Sequence, residues 1–311
     1  MLYDDKKNFF NSKVYEILKT DVVYSNLLKN ISNPPKKLFA IGNIGLLNSN
    51  AVAIVGSRNS SEYGEKMTEM ITKELVQNDI VIISGMANGI DAIAHKVCIE
   101  NGGKTIAVLG SGFNYIYPKE NEKLFYQIIE SGGLVLSEYP VSTPVTMKNF
   151  PKRNRIISGL SLGIVVIEAA YRSGTSITAK FAKSQGRKVF CIPHSVGDKN
   201  SFGTIRLIQN GAILVRNGED ILKKLGLSYN KEFTKNKLRN MKNQQLCILD
   251  EKSKKIVECI RQNKNMDAEK ISIKTGINIT LVNPILTMLE MEEIIVYKGR
   301  NGYDVAEAYY E

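Results

Sequence analysis

The chain has 311 residues, 43% of them hydrophobic, enough for one large domain with a sizeable core and a smaller second one. Lys and Arg number 42 against 31 Asp and Glu, a net charge of +11 that suits a polyanionic partner and says nothing about fold. The four cysteines (Cys98, Cys191, Cys247, Cys259) form no CxxC pair and no apolar run reaches the ~18 residues of a membrane span, which disfavours a disulfide framework, a zinc centre and a membrane partner.

The first ten residues, MLYDDKKNFF, carry acids where a secretory signal has bases, so the expected setting is the reducing cytoplasm. Charge is unevenly spread. Residues 1–222 hold 26 Lys and Arg against 19 Asp and Glu, residues 223–255 hold 10 against 3, and residues 256–311 hold 6 against 9. The basic excess therefore lies in the main body and the segment after it, not in the tail.

Residues 1–38 are weakly patterned. Val14, Ile17 and Leu18, then Val22, Val23, Leu27 and Leu28, predict a lead-in of one or two short helices, closed by Asn33-Pro34-Pro35. Over residues 39–225 strands and helices alternate. Strands are predicted at Ala51–Val55, Ile80–Ile83, Thr105–Leu109, Leu134–Ser137, Ile164–Ile167, Lys188–Ile192 and Ala212–Val215. Helices are predicted at 62–78, 90–100, 120–130, 154–160, 176–185, 204–209 and 219–225. The strands are continuously apolar, the pattern of a parallel sheet buried on both faces. The expected fold class is therefore α/β, a doubly wound, mostly parallel, Rossmann-like sheet, and its ligands belong beyond the carboxyl ends of the strands.

Residues 226–255 read as a basic linker. Residues 256–311 regain pattern: a helix face at Ile256, Val257 and Ile260, helices at 267–275 and 279–291, and a hairpin from Ile294–Tyr297 and Gly302–Val305. Three helices and a terminal hairpin make a small winged-helix domain. Its second reading helix carries no base, and Glu290, Glu292 and Glu293 close it, which speaks for a protein contact or regulatory role rather than duplex reading.

The densest basic stretch runs from Lys148 to Lys180. Lys148, Lys152, Arg153, Arg155, Arg172 and Lys180 surround the strand Ile164–Ile167, with the acid Glu168 facing them. Phe150 beside Lys152, Arg153 and Arg155 is an aromatic interleaved with bases, as single-stranded nucleic acid binding requires. Ser173, Gly174 and Thr175 open a helix whose free N–H groups suit an anion, with Lys180 further in. Three earlier strand ends have the same design: Gly56-Ser57-Arg58 with Ser61 as helix cap, Gly85 to Asn88-Gly89, and Gly110-Ser111-Gly112 with Tyr115 and Tyr117 near. None has the GxGxxG spacing of a dinucleotide fingerprint. His95 and His194 lack a nucleophile or zinc spacing, and no GxSxG or Walker lysine motif is present, so neither a catalytic residue nor a metal or cofactor is expected.

Taken together, ISNPPKKLFAIGN, VAIVGSRNSSEYG, IISGMANGIDAIAH, GGKTIAVLGSG, IYPKENEKLF, LVLSEYP, FPKRNRIISGLS, VIEAAYRSGTSITAKFA and GRKVFCIP resemble the DNA-processing protein A family (DprA, also called Smf). These ordered blocks cover about residues 31–225, and the tail looks like the winged helix that many members append. The resemblance implies a non-enzymatic, homodimeric protein that binds single-stranded DNA and loads a RecA-type recombinase onto it during natural transformation. Carried over by motif, the DNA contacts are Gly56, Ser57, Arg58, Ser61, Arg153, Arg155, Ser173, Gly174, Thr178 and Lys180. Asn88 stands where a base is frequent, His194 where glycine is usual, and the lead-in is shorter than the helical N-terminal domain of some members. About six phosphate contacts give an expected salt slope near −4, at ~0.7 per phosphate of a single strand.

Two other readings compete. Related Rossmann-like proteins sense or hydrolyse nucleotides, but their PGGxGTxxE block corresponds here to RSGTSITAK, without the paired glycines or the glutamate. A DNA-binding regulator acting through the winged helix is the other.

Overall fold

The computed structural model describes residues 13–170, 173–230, 249–263, 266–292, 294–299 and 302–306. The chain divides into two compact units, Met1–Tyr229 and Asn230–Glu311. The first is built on a nine-stranded sheet of β1 (Tyr15–Leu18), β2 (Lys37–Gly42), β3 (Ala51–Val55), β4 (Val81–Ser84), β5 (Thr105–Leu109), β6 (Leu134–Ser137), β7 (Gly163–Val166), β8 (Lys188–Cys191) and β9 (Ile213–Leu214). Their spatial order is β1-β2-β6-β5-β4-β3-β7-β8-β9. Every neighbouring pair from β6 to β9 is parallel, while β1 and β2 add antiparallel strands beyond β6.

The order fixes where a ligand belongs. Strands step from β3 through β4 and β5 to β6, and the chain then returns to the other side of β3 for β7. β3 and β7 are thus adjacent strands from opposite halves, and the crevice beyond their carboxyl ends is the switch point of the sheet.

The helices are α1 (Asn26–Lys29), α2 (Glu62–Val76), α3 (Ile90–Glu100), α4 (Glu122–Glu130), α5 (Asn149–Gly159), α6 (Gly174–Ser184), α7 (Phe202–Gln209) and α8 (Gly218–Leu225). Successive strand residues point to opposite faces. Ala51, Ala53 and Val55 of β3 therefore join Ile156 and Ile157 of α5 and Ala179 and Ala182 of α6 in one layer. Val52 and Ile54 join Ile71 and Leu75 of α2, Ile90 and Ala94 of α3, and Ile221 and Leu222 of α8 in the other. The expected doubly wound α/β sheet is present.

The lead-in departs from expectation. Val14, Ile17 and Leu18 fit helical spacing, yet residues 15–18 form β1, because pairing with β2 offers them backbone partners and buries Ile17. Among the described residues of the lead-in only α1 is helical, and Val22 is 99% exposed. β2 itself has no counterpart in the sequence reading; its Leu38–Ile41 run is buried against β6. The helix placed at 154–160 begins five residues earlier as α5, since Pro151 sits in the first turn, where an N–H is unpaired anyway.

The second unit holds α9 (Glu251–Gln262), α10 (Ala268–Thr275), α11 (Ile279–Met291) and the antiparallel pair β10 (Ile295–Tyr297) and β11 (Tyr303–Val305). Asp250, Asp267 and Asn278 cap the three helices through their side chains. Ile256, Ile260, Ile271, Val282, Leu286 and Leu289 form its own core. This is the winged-helix arrangement. Most of the expected basic linker, and Arg172, lie outside the described residues.

Candidate nucleic-acid interface

A cleft of 410 Å³ opens at the switch point. Its floor is made by two turns that touch. The Gly56-Ser57-Arg58 turn leaves β3, and the Gly85–Gly89 turn leaves β4. Ile90 N–H donates to the Ser57 carbonyl at 3.1 Å. Both glycines at this contact are required. A Cβ on Gly56 would lie 2.5 Å from Ile90 Cγ1, and Gly89 holds φ +72° with the Ser57 carbonyl against it.

Arg153 of α5 reaches under this floor. Its Nη1 donates to the Gly85 carbonyl at 2.6 Å and to the Val108 carbonyl, and its Nε donates to Asn154 Oδ1 at 3.1 Å. The side chain is almost fully buried, and burial pulls its pKa down to about 10, against the pull of the nearby Asp91 carboxylate. Asp91 accepts from the Gly85 N–H at 3.1 Å, and burial pushes its carboxyl up. Arg153 is thus a cation held in place beneath the cleft.

Phe150, half-buried on the first turn of α5, forms one wall. The Arg58 and Arg153 guanidinium carbons each lie 6.0 Å from its ring centroid, and Tyr117 packs against it at 5.5 Å. Gly110 seats the ring: a Cβ there would come within 2.8 Å of Phe150 Cδ1. Arg58 is exposed and makes no ion pair among the described residues. The opposite wall is the start of α6. Its cap residue Ser173 makes no side-chain capping bond, and Thr175 Oγ1 donates to the Gly56 carbonyl at 2.9 Å, tying the helix start to the turn after β3. A helix start presents unpaired N–H groups and partial positive charge. An aromatic face, an unpaired guanidinium and a helix start thus converge on one cleft, a combination that can stack a base and hold a phosphate.

The cleft gathers Gly56, Ser57, Arg58, Phe150, Arg153, Ser173, Gly174, Thr175 and Thr178 from the expected set. It adds Met147, 63% exposed at the mouth, and Asn154, whose Nδ2 donates to the Gly174 carbonyl at 3.4 Å. Neither has a sequence signal beyond its place in α5 or just before it. Asn88 and Gly89 border a shallower 640 Å³ depression on the other side of Arg58, together with Lys96. Lys152 and Arg155 line a different cleft, on the far side of α5. Gly85, Gly110 and Gly112 are buried packing positions, a Cβ on Gly112 running into the Pro140 and Val141 carbonyls. Lys180 is exposed and outside the cleft lining.

Ser61 and Glu168 also part from expectation. Glu168 is fully buried and forms no ion pair with a described Lys or Arg. It accepts from Ser61 N–H at 3.1 Å, from Ser61 Oγ and from Asn200 Nδ2 at 3.2 Å, and its Oε1 lies 3.6 Å from His194 Nε2. Ser61 is therefore the cap of α2 and an anchor of β7. His95 is fully buried, its Nδ1 2.6 Å from Thr105 Oγ1, and burial holds its pKa near 3. Among the described residues no cluster of three or more His, Cys, Asp and Glu is placed to hold a metal ion, and no helix is long and apolar enough to cross a membrane.

The model of the DNA recombination-mediator protein A family matches residues 16–226. DNA processing protein DprA of Streptococcus pneumoniae is 45% identical over 216 residues, covering 70% of this chain and 75% of that protein. Protein Smf of Escherichia coli is 46% identical over 191 residues, 61% of this chain and 51% of its own length. The chain thus spans about half the length of that relative. The crystal structure of the Streptococcus pneumoniae protein superposes with a TM-score of 0.65 at 43% identity, over 72% of this chain and 77% of that one. A structure of DNA processing protein A from Helicobacter pylori, described for its single-stranded DNA binding mode, superposes with a TM-score of 0.63 at 28% identity, over 71% of this chain and 99% of that one. The nine ordered motifs and the nine-stranded sheet thus have one source, and the chain belongs to the DNA recombination-mediator protein A family.

Proposed function

We propose that the chain binds single-stranded DNA in the cleft at the carboxyl ends of β3 and β7, holds it without reacting with it, and passes it to a RecA-type recombinase in the cytoplasm, acting as a homodimer. The observation that carries this reading is Phe150. Its ring lies 6.0 Å from both the Arg58 and the Arg153 guanidinium carbons, in the wall of a cleft bounded by a helix start. A duplex keeps its bases stacked inside, so a half-buried ring beside two cations suits a strand whose bases are free better than a duplex. The relative from Helicobacter pylori, described for its single-stranded DNA binding mode, supports the same ligand. The carboxylates and imidazoles near the cleft are engaged with the protein itself: Asp91 with Gly85, Glu168 with Ser61 and Asn200, His95 with Thr105. That favours holding a strand over cleaving one.

Fluorescence anisotropy with labelled single- and double-stranded oligonucleotides at two salt concentrations tests the binding step. Single strands should bind more tightly, with an affinity that falls steeply with salt. Equal or tighter duplex binding, or no salt dependence, would defeat the reading. Recombinase delivery is tested separately, by whether the protein speeds filament growth of a RecA-type recombinase on a coated strand, and the dimer by sedimentation.

A further inference from the structure

The KRNR run divides between two clefts. Arg153 lies under the switch-point cleft, whereas Lys152 and Arg155 turn to the other side of α5. There a cleft of 710 Å³, the larger of the two, is lined by Lys36, Lys152 and Arg155, with Tyr139, Phe181 and Gln185 around them. Arg155 is the built element. Its side chain is 10% exposed, and its Nη2 donates to Glu138 Oε1 at 2.6 Å. Its Nη1 is buried in the same wall with no hydrogen-bond partner. A buried, unpartnered guanidinium N–H is costly unless a ligand supplies the acceptor. Lys36 and Lys152 are exposed and form no ion pair among the described residues, so the one acid in the wall, Glu138, leaves the cleft with excess positive charge.

We propose that this cleft is a second phosphate-binding site, in which the Arg155 side chain moves out of the wall so that Nη1 donates to a phosphate oxygen, and Lys36 and Lys152 neutralise its charge. The phosphate belongs either to the DNA strand, continuing around α5 after it leaves the switch-point cleft, or to a free nucleotide. The strand source rests on the single-strand reading above. An α-helix is about 10–12 Å across, so a strand spans the distance between the two clefts without bending the protein.

The test uses Lys36→Glu in the full chain, because Lys36 is exposed and its replacement leaves the core untouched. One arm titrates single strands of about 4 and about 16 nucleotides, the range of site sizes seen for single-strand-binding domains. The other titrates deoxyadenosine monophosphate. Arg58→Ala is run beside it as the reporter of the switch-point cleft. If the strand is the source, Lys36→Glu binds the longer strand up to about fivefold more weakly, with a salt slope smaller by about 0.7, and binds the shorter strand as the parent does. If a free nucleotide is the source, Lys36→Glu loses the monophosphate and Arg58→Ala retains it. The proposal fails if Lys36→Glu matches the parent in both arms. When Arg58→Ala still loses the strand in that case, the single-strand reading stands and only the second site falls. Unchanged strand binding in both variants removes both.

Discussion

The Nη1 of Arg153 donates to the carbonyl of Gly85 at 2.6 Å, across 68 residues of sequence, and to the carbonyl of Val108 as well. One side chain on α5 therefore closes the turn after β4 onto the end of β5. A Cβ on Gly85 would lie 2.7 Å from Arg153 Nη2 and 2.8 Å from Asp91 Oδ2, so any larger residue in this turn displaces one of those two side chains. The guanidinium positions the floor on which Arg58 and Phe150 stand.

Arg153→Ala should therefore be a folding mutation first. It removes a buried donor from the Gly85 and Val108 carbonyls and a nearby positive charge from Asp91, and leaving a buried polar group unsatisfied typically costs about 1–3 kcal/mol. Arg58→Ala removes an exposed, unpaired base and should stay within about 0.5 kcal/mol of the parent. Urea denaturation and strand titration should sort the two: Arg153→Ala loses stability and binding together, Arg58→Ala loses binding alone. Equal stability of both variants would refute the structural role of Arg153.

Gly110→Ala should act through Phe150. The added methyl meets the ring at Cδ1, and overpacking of this kind costs about 1–3 kcal/mol or moves the ring. Phe150→Leu keeps most of the bulk and removes the π-face, which is worth about 1–3 kcal/mol per stacked base. Both variants should weaken single-strand binding by similar factors, as read by anisotropy. Normal affinity in Gly110→Ala together with a loss in Phe150→Leu would mean that the ring is not seated by Gly110.

The sheet was legible because continuous apolar runs such as Ala51–Val55 and Thr105–Leu109 have few other ways to be buried. β1 was not, since Val14, Ile17 and Leu18 satisfy helical and extended spacing alike, and the choice is made by β2, whose Lys37 to Gly42 pair with it and with β6. The cleft residues on strand ends were legible for the same topological reason. The division of Lys152, Arg153 and Arg155 between two clefts was not. Consecutive helical residues point about 100° apart. Which of them meets the switch point depends on the rotation of α5, set by Ile156 and Ile157 packing on β3 and its neighbours. Glu168 was misread because its partners, Ser61 and Asn200, lie 107 and 32 residues away.

The Glu168–His194 pair predicts a pH dependence of stability. His194 is pulled down by burial and raised overall by the adjacent Glu168 carboxylate. A raised histidine contributes stability that is fully present below the unfolded value of about 6.5 and is lost as pH rises through the folded value. Burial would raise Glu168, but bonds from its polar neighbours, His194 and Ser61 among them, hold it low, so its contribution is present above about 4.3 and is lost as pH falls. The stabilisation of the parent over His194→Gln should be greatest between about pH 4.3 and 6.5 and shrink towards alkaline pH. Thermal melts at three pH values test this, and a gap that does not change with pH would rule out the ion pair.

The winged-helix unit should be dispensable for strand binding. Its core residues Ile256, Ile271, Val282 and Leu286 pack among themselves, and the switch-point cleft is lined wholly by residues before Tyr229. α11 carries no base, and Leu281, Met288 and Met291 are exposed on it, a composition that lacks the phosphate contacts a duplex demands. A chain ended after Tyr229 should fold cooperatively and bind single strands as the full chain does, since no residue lining the switch-point cleft lies beyond it. A shared salt slope would place the ion-pairing groups before Tyr229, whereas a smaller slope in the shortened chain would assign part of them to the basic stretch 231–255. If truncation abolishes binding to every oligonucleotide while the circular dichroism of the sheet domain is unchanged, the winged helix, and not Phe150 and Arg58, carries the contact with DNA.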